Sequence, residues 1–532
     1  MKKVIYLPLD ERPCNLRYPK MLADMTDMTM VVPNKDILGN MKVAAKVSAL
    51  HDWLREEAFT ANYLIVSIDM LLYGGIVPSR LHKLSMEQCM ERLAILQELK
   101  SQNPNLKIYG YSLIMRVPAY NSSEEEPDYY EEIGEKIYRL GWLTDKKEQN
   151  LATESELKEF VQITESLSDE VKNDYFSRRM KNFSVTKQAL QMVEDNTIEY
   201  LIIPLDDNSE YGFTAIEQRQ LVIEVDTRSL LDQVAIYPGA DEIGCTLFSR
   251  VFCVEHNYTP EISVRYSSTN GPFIIPRYED RSLSESIKSH ITAAGGVIVA
   301  DEKENDVLLM VHASAVGQKH MAESSHPLES RHRTYSSEVN IREFAQAMKH
   351  FIAKGRNVAL ADVAICNGGD HSLLQLLEKQ GTLYEIMAYA GWNTNGNTMG
   401  TVVSHAIISS FYKKDSPLPP LHTRLSRAFF YARLVEDWGY QSIVRKYISY
   451  QLLPELGLTP RFLQNQVPQI TEKVSTLLNS FVKKNLTKVP EGKIMLEEIH
   501  LPWRRVFEVG FTISVKDGEV RSLNLSEKER EN

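Results

Sequence analysis

Adjacent carboxyl groups placed at the end of an apolar run are the feature of this chain best suited to chemistry. Ile202 to Gly212 reads IIPLDDNSEYG, so Asp206, Asp207 and Asn208 follow directly on strand-like sequence. Ile5 to Asn15 reads IYLPLDERPCN and brings Asp10, Glu11 and Arg12 to a similar position. Two close carboxyls resist simultaneous ionisation, so the pKa of one rises, which suits a general acid beside a partner that stays charged. A strand continuing through Asp206 and Asp207 would point them to opposite faces, whereas a bend lets both enter one site. Capping is the competing role, because Asp207, Asn208 and Ser209 would all cap a helix starting near Tyr211. For Asp10 to Arg12 the competing role is an internal ion pair ahead of a helix opened by Pro13.

Other apolar runs end in the same way. Asp69, Tyr73, Gly74, Gly75, Ser79 and Arg80 follow one, Arg116 another, and Asp241 with Glu242 a third, in PGADEIG. Later, His312 closes LLMVH, Asp362 precedes Asn367 and Asp370, and Trp392, Asn393, Thr394 and Asn397 lie in AGWNTNGNT. Glycine pairs let backbone approach a ligand closely. The forked donors of Arg12, Arg80 and Arg116 suit neutralising these acids or binding an anionic or hydroxylated substrate. Trp392 suits stacking on a sugar face, or the core. The expected site therefore has Asp206 and Asp207 as catalytic residues. Asp10, Glu11, Arg12, Asp69, Tyr73, Arg80, Arg116, Asn208, Asp241, Glu242, Trp392 and Asn393 are expected to bind substrate.

Aspartates with His312 could hold a hard cation. No HxH, HExxH or DxDxD arrangement is present, and His320, His326 and His332 lie in a polar loop, so no metal is expected. No cofactor is expected either, since the chain lacks a GxGxxG after a strand, a Walker loop and a GxSxG elbow.

The elements that must position these residues are short apolar runs alternating with amphipathic stretches. Runs near Val4, Met30, Tyr63, Lys107, Tyr200 and Val234 form one series, and runs near Glu261, Val297, Asp306, Asn357 and Ile386 a second. Continuous apolar runs alternating with helices predict an α/β fold of parallel strands buried on both faces. A (β/α)8-type barrel and two doubly wound domains both satisfy this pattern, and both place function at the carboxyl ends of the strands. The expected organisation is an α/β domain over 1–258 with a helical insertion at about 124–196, and a second α/β series over 259–415. A mainly helical region with a terminal strand in LPWRRVFEVGFTISV follows over 416–532, its tail SEKEREN expected to be disordered.

With 532 residues, 43% of them hydrophobic and 25% charged, the chain has the make-up of a globular protein of two or three domains. A formal net charge of -11 argues against nucleic-acid and anionic-membrane partners. Pro8 and Asp10 cut the first apolar run short of a signal-peptide core, and no segment approaches a membrane span, so a cytoplasmic location is expected. Five scattered cysteines without a CxxC pair predict reduced, buried thiols.

PLDERPCN, SIDMLLYGGIVPSR, PLDDNSEYG, PGADEIG, RYEDR, NGGD and AYAGWNTNGNTMGT together resemble the bacterial family catalogued as domain of unknown function 4127, over nearly the whole chain. That resemblance implies no particular activity. In site pattern alone, adjacent aspartates followed by Trp and Asn are similar to substrate-assisted β-N-acetylhexosaminidases. The similarity implies that Asp206 orients an acetamido group, Asp207 is the general acid and Asn393 holds a hydroxyl. The function expected is a hydrolase, a glycoside hydrolase acting on a small carbohydrate. The alternatives are a metal-dependent hydrolase or lyase using Asp10, Asp69, Asp206 and His312, and a small-molecule binding protein without turnover.

Overall fold

A computed structural model describes residues 1–300, 305–414 and 419–516. The first series of apolar runs forms β1 (Lys2–Leu7), β2 (Met28–Val31), β3 (Tyr63–Ser67), β4 (Lys107–Tyr111), β5 (Tyr200–Leu205) and β6 (Val234–Pro238). They pair in parallel in the order β2-β1-β3-β4-β5-β6. β3 and β5 are buried at every residue, which is why their sequences show no polar alternation. The second series forms β7 (Glu261–Tyr266), β8 (Val297–Ile298), β9 (Val307–His312), β10 (Val358–Asp362) and β11 (Ala388–Ala390), parallel in the order β11-β10-β9-β7-β8.

Each sheet steps one way from its first strand and then reverses, so each has a topological switch point, between β1 and β3 and between β7 and β9. Among the described residues the strands thus form two open parallel sheets and a hairpin. The barrel alternative is not what the chain adopts.

Helix Asn395–Tyr412 joins the two halves, packing on β9, β10 and β11 from one side and on helix Ile243–Glu255 from the other. Nearly all its residues are buried, as expected of a helix without a solvent face. Gly400 permits the approach, since a Cβ there would lie 2.2 Å from Cγ of Glu242. Between β4 and β5 the chain forms helices Tyr130–Glu148, Glu154–Ser166 and Asp169–Glu194. Their starts follow local signals: Thr153 and Glu156 make a reciprocal capping box, and Ser168 caps the third helix.

After helix Pro420–Arg433 the chain continues in wide π-type turns over Leu434–Val444, then forms helix Val467–Asn485. It ends in an antiparallel hairpin, β12 (Lys493–His500) and β13 (Gly510–Lys516). The expectation of one terminal strand is corrected in two ways. A second strand, KIMLEEIH, precedes it, and LPWRR turns rather than extends, with Trp503 and Arg504 at φ of 52° and 56°. The tail SEKEREN lies outside the described residues. Among the described residues no helix is long and apolar enough to cross a membrane.

Candidate functional site

The carboxyl ends of β1 and β6 meet around one guanidinium. Arg12 extends into the N-cap position of helix Pro13–Asp24, where Pro13 starts the helix. Its Nη2 donates to Asp10 at 2.7 Å and to Asp241 at 2.6 Å, and its Nη1 lies 3.5 Å from Glu508. The Asn15 amide donates to the same two aspartates, at 3.0 and 2.9 Å. Trp503 stacks on Arg12 with 4.4 Å to the ring centre and donates its indole N–H to Glu11 at 2.6 Å. Burial, then the neighbouring Asp10, push Glu11 up to about 7.

A second cluster sits at the ends of β3, β4 and β5. Arg80 donates to Asp206 at 2.7 Å, and Arg116 to Asp207 at 3.0 Å. Both arginines also grip Glu125, at 3.1 and 3.0 Å, and Glu126, at 3.3 and 2.8 Å. Arg505 closes the chain by pairing with Glu125 and Glu508, so the two clusters form one continuous buried ionic network. Asp69 accepts the Leu113 N–H at 3.0 Å, and burial raises it to about 6. Asp206 is pushed up to about 7, chiefly by burial and next by the charge of Asp207, against the pull of Arg80 and Arg116. Adjacent carboxyls with different environments are what an acid-base pair requires.

Capping does not explain this stretch. Helix Phe213–Thr227 starts at Gly212 with no side-chain cap, so Asp207, Asn208 and Ser209 are free of that duty. Asp207 instead adopts φ of 43°, in the left-handed region. Tyr278 and Asn393 do the same, at 69° and 53°, and the Tyr278 carbonyl accepts the Asn208 N–H at 3.0 Å. Left-handed backbone outside glycine costs on the order of 1 kcal/mol per residue and persists only where its surroundings enforce it.

These segments enclose a cleft between the two sheets, lined by Asp206, Asp207, Asp241, Tyr278, Glu279, Asn393, Thr394 and Asn397. Its cavity is about 40 Å³, room for about three waters, and a sugar ring would need it to open. Glu279 is 1% exposed; its Oε1 accepts the Asn395 amide at 2.9 Å and the Gly396 N–H at 3.1 Å, while Oε2 has no partner. Burial raises its pKa, and the Asn395 amide opposes.

Of the residues expected at the site, Asp206, Asp207, Asp241 and Asn393 line the cleft. Asp10, Arg12, Arg80 and Arg116 form the ionic layer that holds those carboxylates. Glu11 belongs to the Trp503 contact, Asn208 is buried beside the cleft, and Asp69 fixes the backbone after β4. Glu242 is buried behind the cleft, accepting the Ala240 N–H at 3.0 Å with His290 at 3.3 Å. Trp392 is 1% exposed and packs edge-on to Tyr18, so it is a core residue and offers no stacking face. Tyr73 stacks on His82 at 4.3 Å and lines a different groove with His51 and Arg92. The YGG glycines therefore serve helix ends, Gly74 as the left-handed cap that closes helix Ile68–Tyr73 and Gly75 at the start of helix Ile76–Ser79.

The four ligands of the metal-dependent alternative do not converge. His312 ends β9 in the other sheet, bonded to Ser267 at 2.9 Å and Asp370 at 3.2 Å, and among the described residues no group of three His, Cys, Asp or Glu is placed to hold a metal ion. That alternative is set aside. Sequence reasoning missed Glu125, Glu126, Tyr278, Glu279 and Asn15. Glu279 sits in RYEDR, away from any strand end, and Glu125 and Glu126 read as part of a charged helical insertion.

A comparison with curated proteins found no match. The family model described as protein of unknown function (DUF4127) matches residues 4–512. The chain, whose PLDER, PLDDN and AGWNT strings all fall within that match, belongs to this family.

Proposed function

We propose that the chain is a hydrolase of a small carbohydrate, with Asp206 as general acid and Asp207 as its charged neighbour. The observation that carries this reading is the division of the pair. Each has a guanidinium, Arg80 at 2.7 Å from Asp206 and Arg116 at 3.0 Å from Asp207, but Asp206 is the more deeply buried side chain, 15% against 25% exposed, and burial raises it to about 7. A carboxyl that keeps its proton near neutrality can protonate a leaving oxygen, and a carboxylate beside it can orient a substrate amide or stabilise positive charge. This exchanges the two roles implied by the hexosaminidase pattern, because burial acts on Asp206. Asn393, held in its left-handed turn at the cleft wall, is suited to bind a hydroxyl.

The test is turnover of a panel of aryl glycosides by the wild type, Asp206→Asn and Asp207→Asn. Asp206→Asn should lose most on substrates with poor leaving groups and least on nitrophenyl glycosides, which leave without protonation. A folded Asp206→Asn protein with unchanged turnover across the panel would refute the assignment. A binding protein without turnover is the second reading, favoured by the small free volume of the cleft. Ligand-induced stabilisation with no product would select it.

A further inference from the structure

The cleft has a strong electrostatic bias that the acid-base pair does not use. Asp206, Asp207, Asp241 and Glu279 line it, and among the described residues no Lys, Arg or His does. The first three each have a guanidinium behind them, from Arg80, Arg116 and Arg12. Among the described residues Glu279 has no ion pair: the Asn395 amide and the Ser286 hydroxyl act on it, while the nearby basic side chains His290 and Arg281 lie against Glu242 and Asp280.

Among the described residues, the cleft-lining side chains with a buried oxygen that makes no hydrogen bond are Glu279, at Oε2, and Asn397, at Oδ1, 1% and 3% exposed. Both are acceptors. An unpaired buried acceptor is costly, more so when charged, so a ligand that satisfies it gains correspondingly. A group that supplies several donors, no acceptor and a positive charge fits both the atoms and the field. A primary ammonium has these properties, with three N–H donors. It also fits the space, since the 40 Å³ cavity admits a head group of that size. An anion meets four carboxyl groups with no facing cation.

We propose that the cleft selects ligands carrying a primary ammonium, received by Glu279 Oε2 and Asn397 Oδ1. The sugar part of the ligand rests on the hydrolase reading above and makes it an amino sugar; the ammonium rests on the cleft atoms alone.

Two size-matched pairs separate these parts: glucosamine against glucose, and cyclohexylamine against cyclohexanol, with glucuronate as an anion. Binding to the full chain is measured by calorimetry and thermal shift, at a pH where both amines are protonated. Glucosamine should bind at least about tenfold more tightly than glucose, as a charge-assisted hydrogen bond in a desolvated site implies. The preference should fall to within about twofold in Glu279→Gln, which keeps the shape and the Asn395 contact but not the charge. Equal binding of glucose and glucosamine would overturn the ammonium inference and leave the sugar reading standing. Binding of cyclohexylamine without either sugar would support the ammonium and sink the sugar. Preference for glucuronate, stabilisation by magnesium alone, or no amine-selective binding in either pair would overturn the inference. A Glu279→Gln protein that keeps the full preference would overturn it too, and if that variant fails to fold, Asn397→Leu and the wild-type comparisons still decide.

Discussion

Arg12 offers the sharpest test of how the site is held. Its guanidinium lies 2.7 Å from Asp10 and 2.6 Å from Asp241, with all three side chains buried. Arg12→Met keeps an unbranched stem against Trp503 but removes the charge. Removing one partner of a buried ion pair costs about 3–5 kcal/mol, because the remaining charge is stranded without solvent. Here two carboxylates are stranded, although Asn15 still donates to both, at 3.0 and 2.9 Å. The loss expected is therefore about 4 kcal/mol, near the middle of that range. Adding Asp10→Asn and Asp241→Asn removes the stranded charges and should restore at least about half of it, since neutral polar groups of the same shape are far cheaper to bury. Urea unfolding followed by circular dichroism gives the three midpoints. Acidification should shrink the cost of Arg12→Met, because protonation neutralises the stranded carboxylates. An Arg12→Met protein within about 1 kcal/mol of wild type, or a triple variant no more stable than Arg12→Met, would refute the reasoning.

Asp206, raised to about 7, lies above the unfolded carboxyl value. The fold therefore binds the extra proton between about pH 4 and pH 7, and its stability falls as pH rises through that window. Asp206→Asn should gain on wild type across the window and hold its gain above it; parallel melting curves would contradict the shift. Glu11, also near 7 and bonded to the Trp503 indole, should give Trp503 fluorescence a titration near neutrality. The step should vanish in Glu11→Gln, and its persistence there would assign it elsewhere. Gly74→Ala combines φ of 86° with a Cβ placed 2.6 Å from the Ala45 nitrogen, whereas Gly355→Ala has φ of 76° and open space. Urea midpoints should show the first losing more than about 1 kcal/mol and the second no more than about 1; equal losses would mean the clash relaxes.

The strand series was legible because its signal is local. VIYLPL, YLIVSID and YLIIPL are rich in consecutive apolar residues since both faces of a parallel sheet are covered, and their order survives in β1, β3 and β5, although β1 covers Lys2–Leu7 and β3 stops at Ser67. Asp10, Asp206 and Asp241 were legible as site candidates for the same reason, standing where apolar runs stop. Trp392 and Tyr73 followed strand ends too, yet one packs in the core and the other faces a different groove. Their neighbours come from distant segments, which residue type does not reveal. The terminal hairpin was half legible, because LPWRR has strand-like composition but is bent by two left-handed residues.

By itself, then, the sequence determined the alternation of strands and helices and the placing of carboxyl groups at the edges of two sheets. Hydrophobic periodicity and strand termination depend on residues a few positions apart. Only the tertiary structure decided that the strands form two open sheets, that Arg80 meets Asp206 across 126 residues of chain, and that Arg116 meets Asp207 across 91. It also decided that Glu279 lines the cleft with no ion pair among the described residues. Desolvation and charge pairing act through space, so which carboxyl keeps its proton and which lacks a partner depends on contacts that folding alone creates.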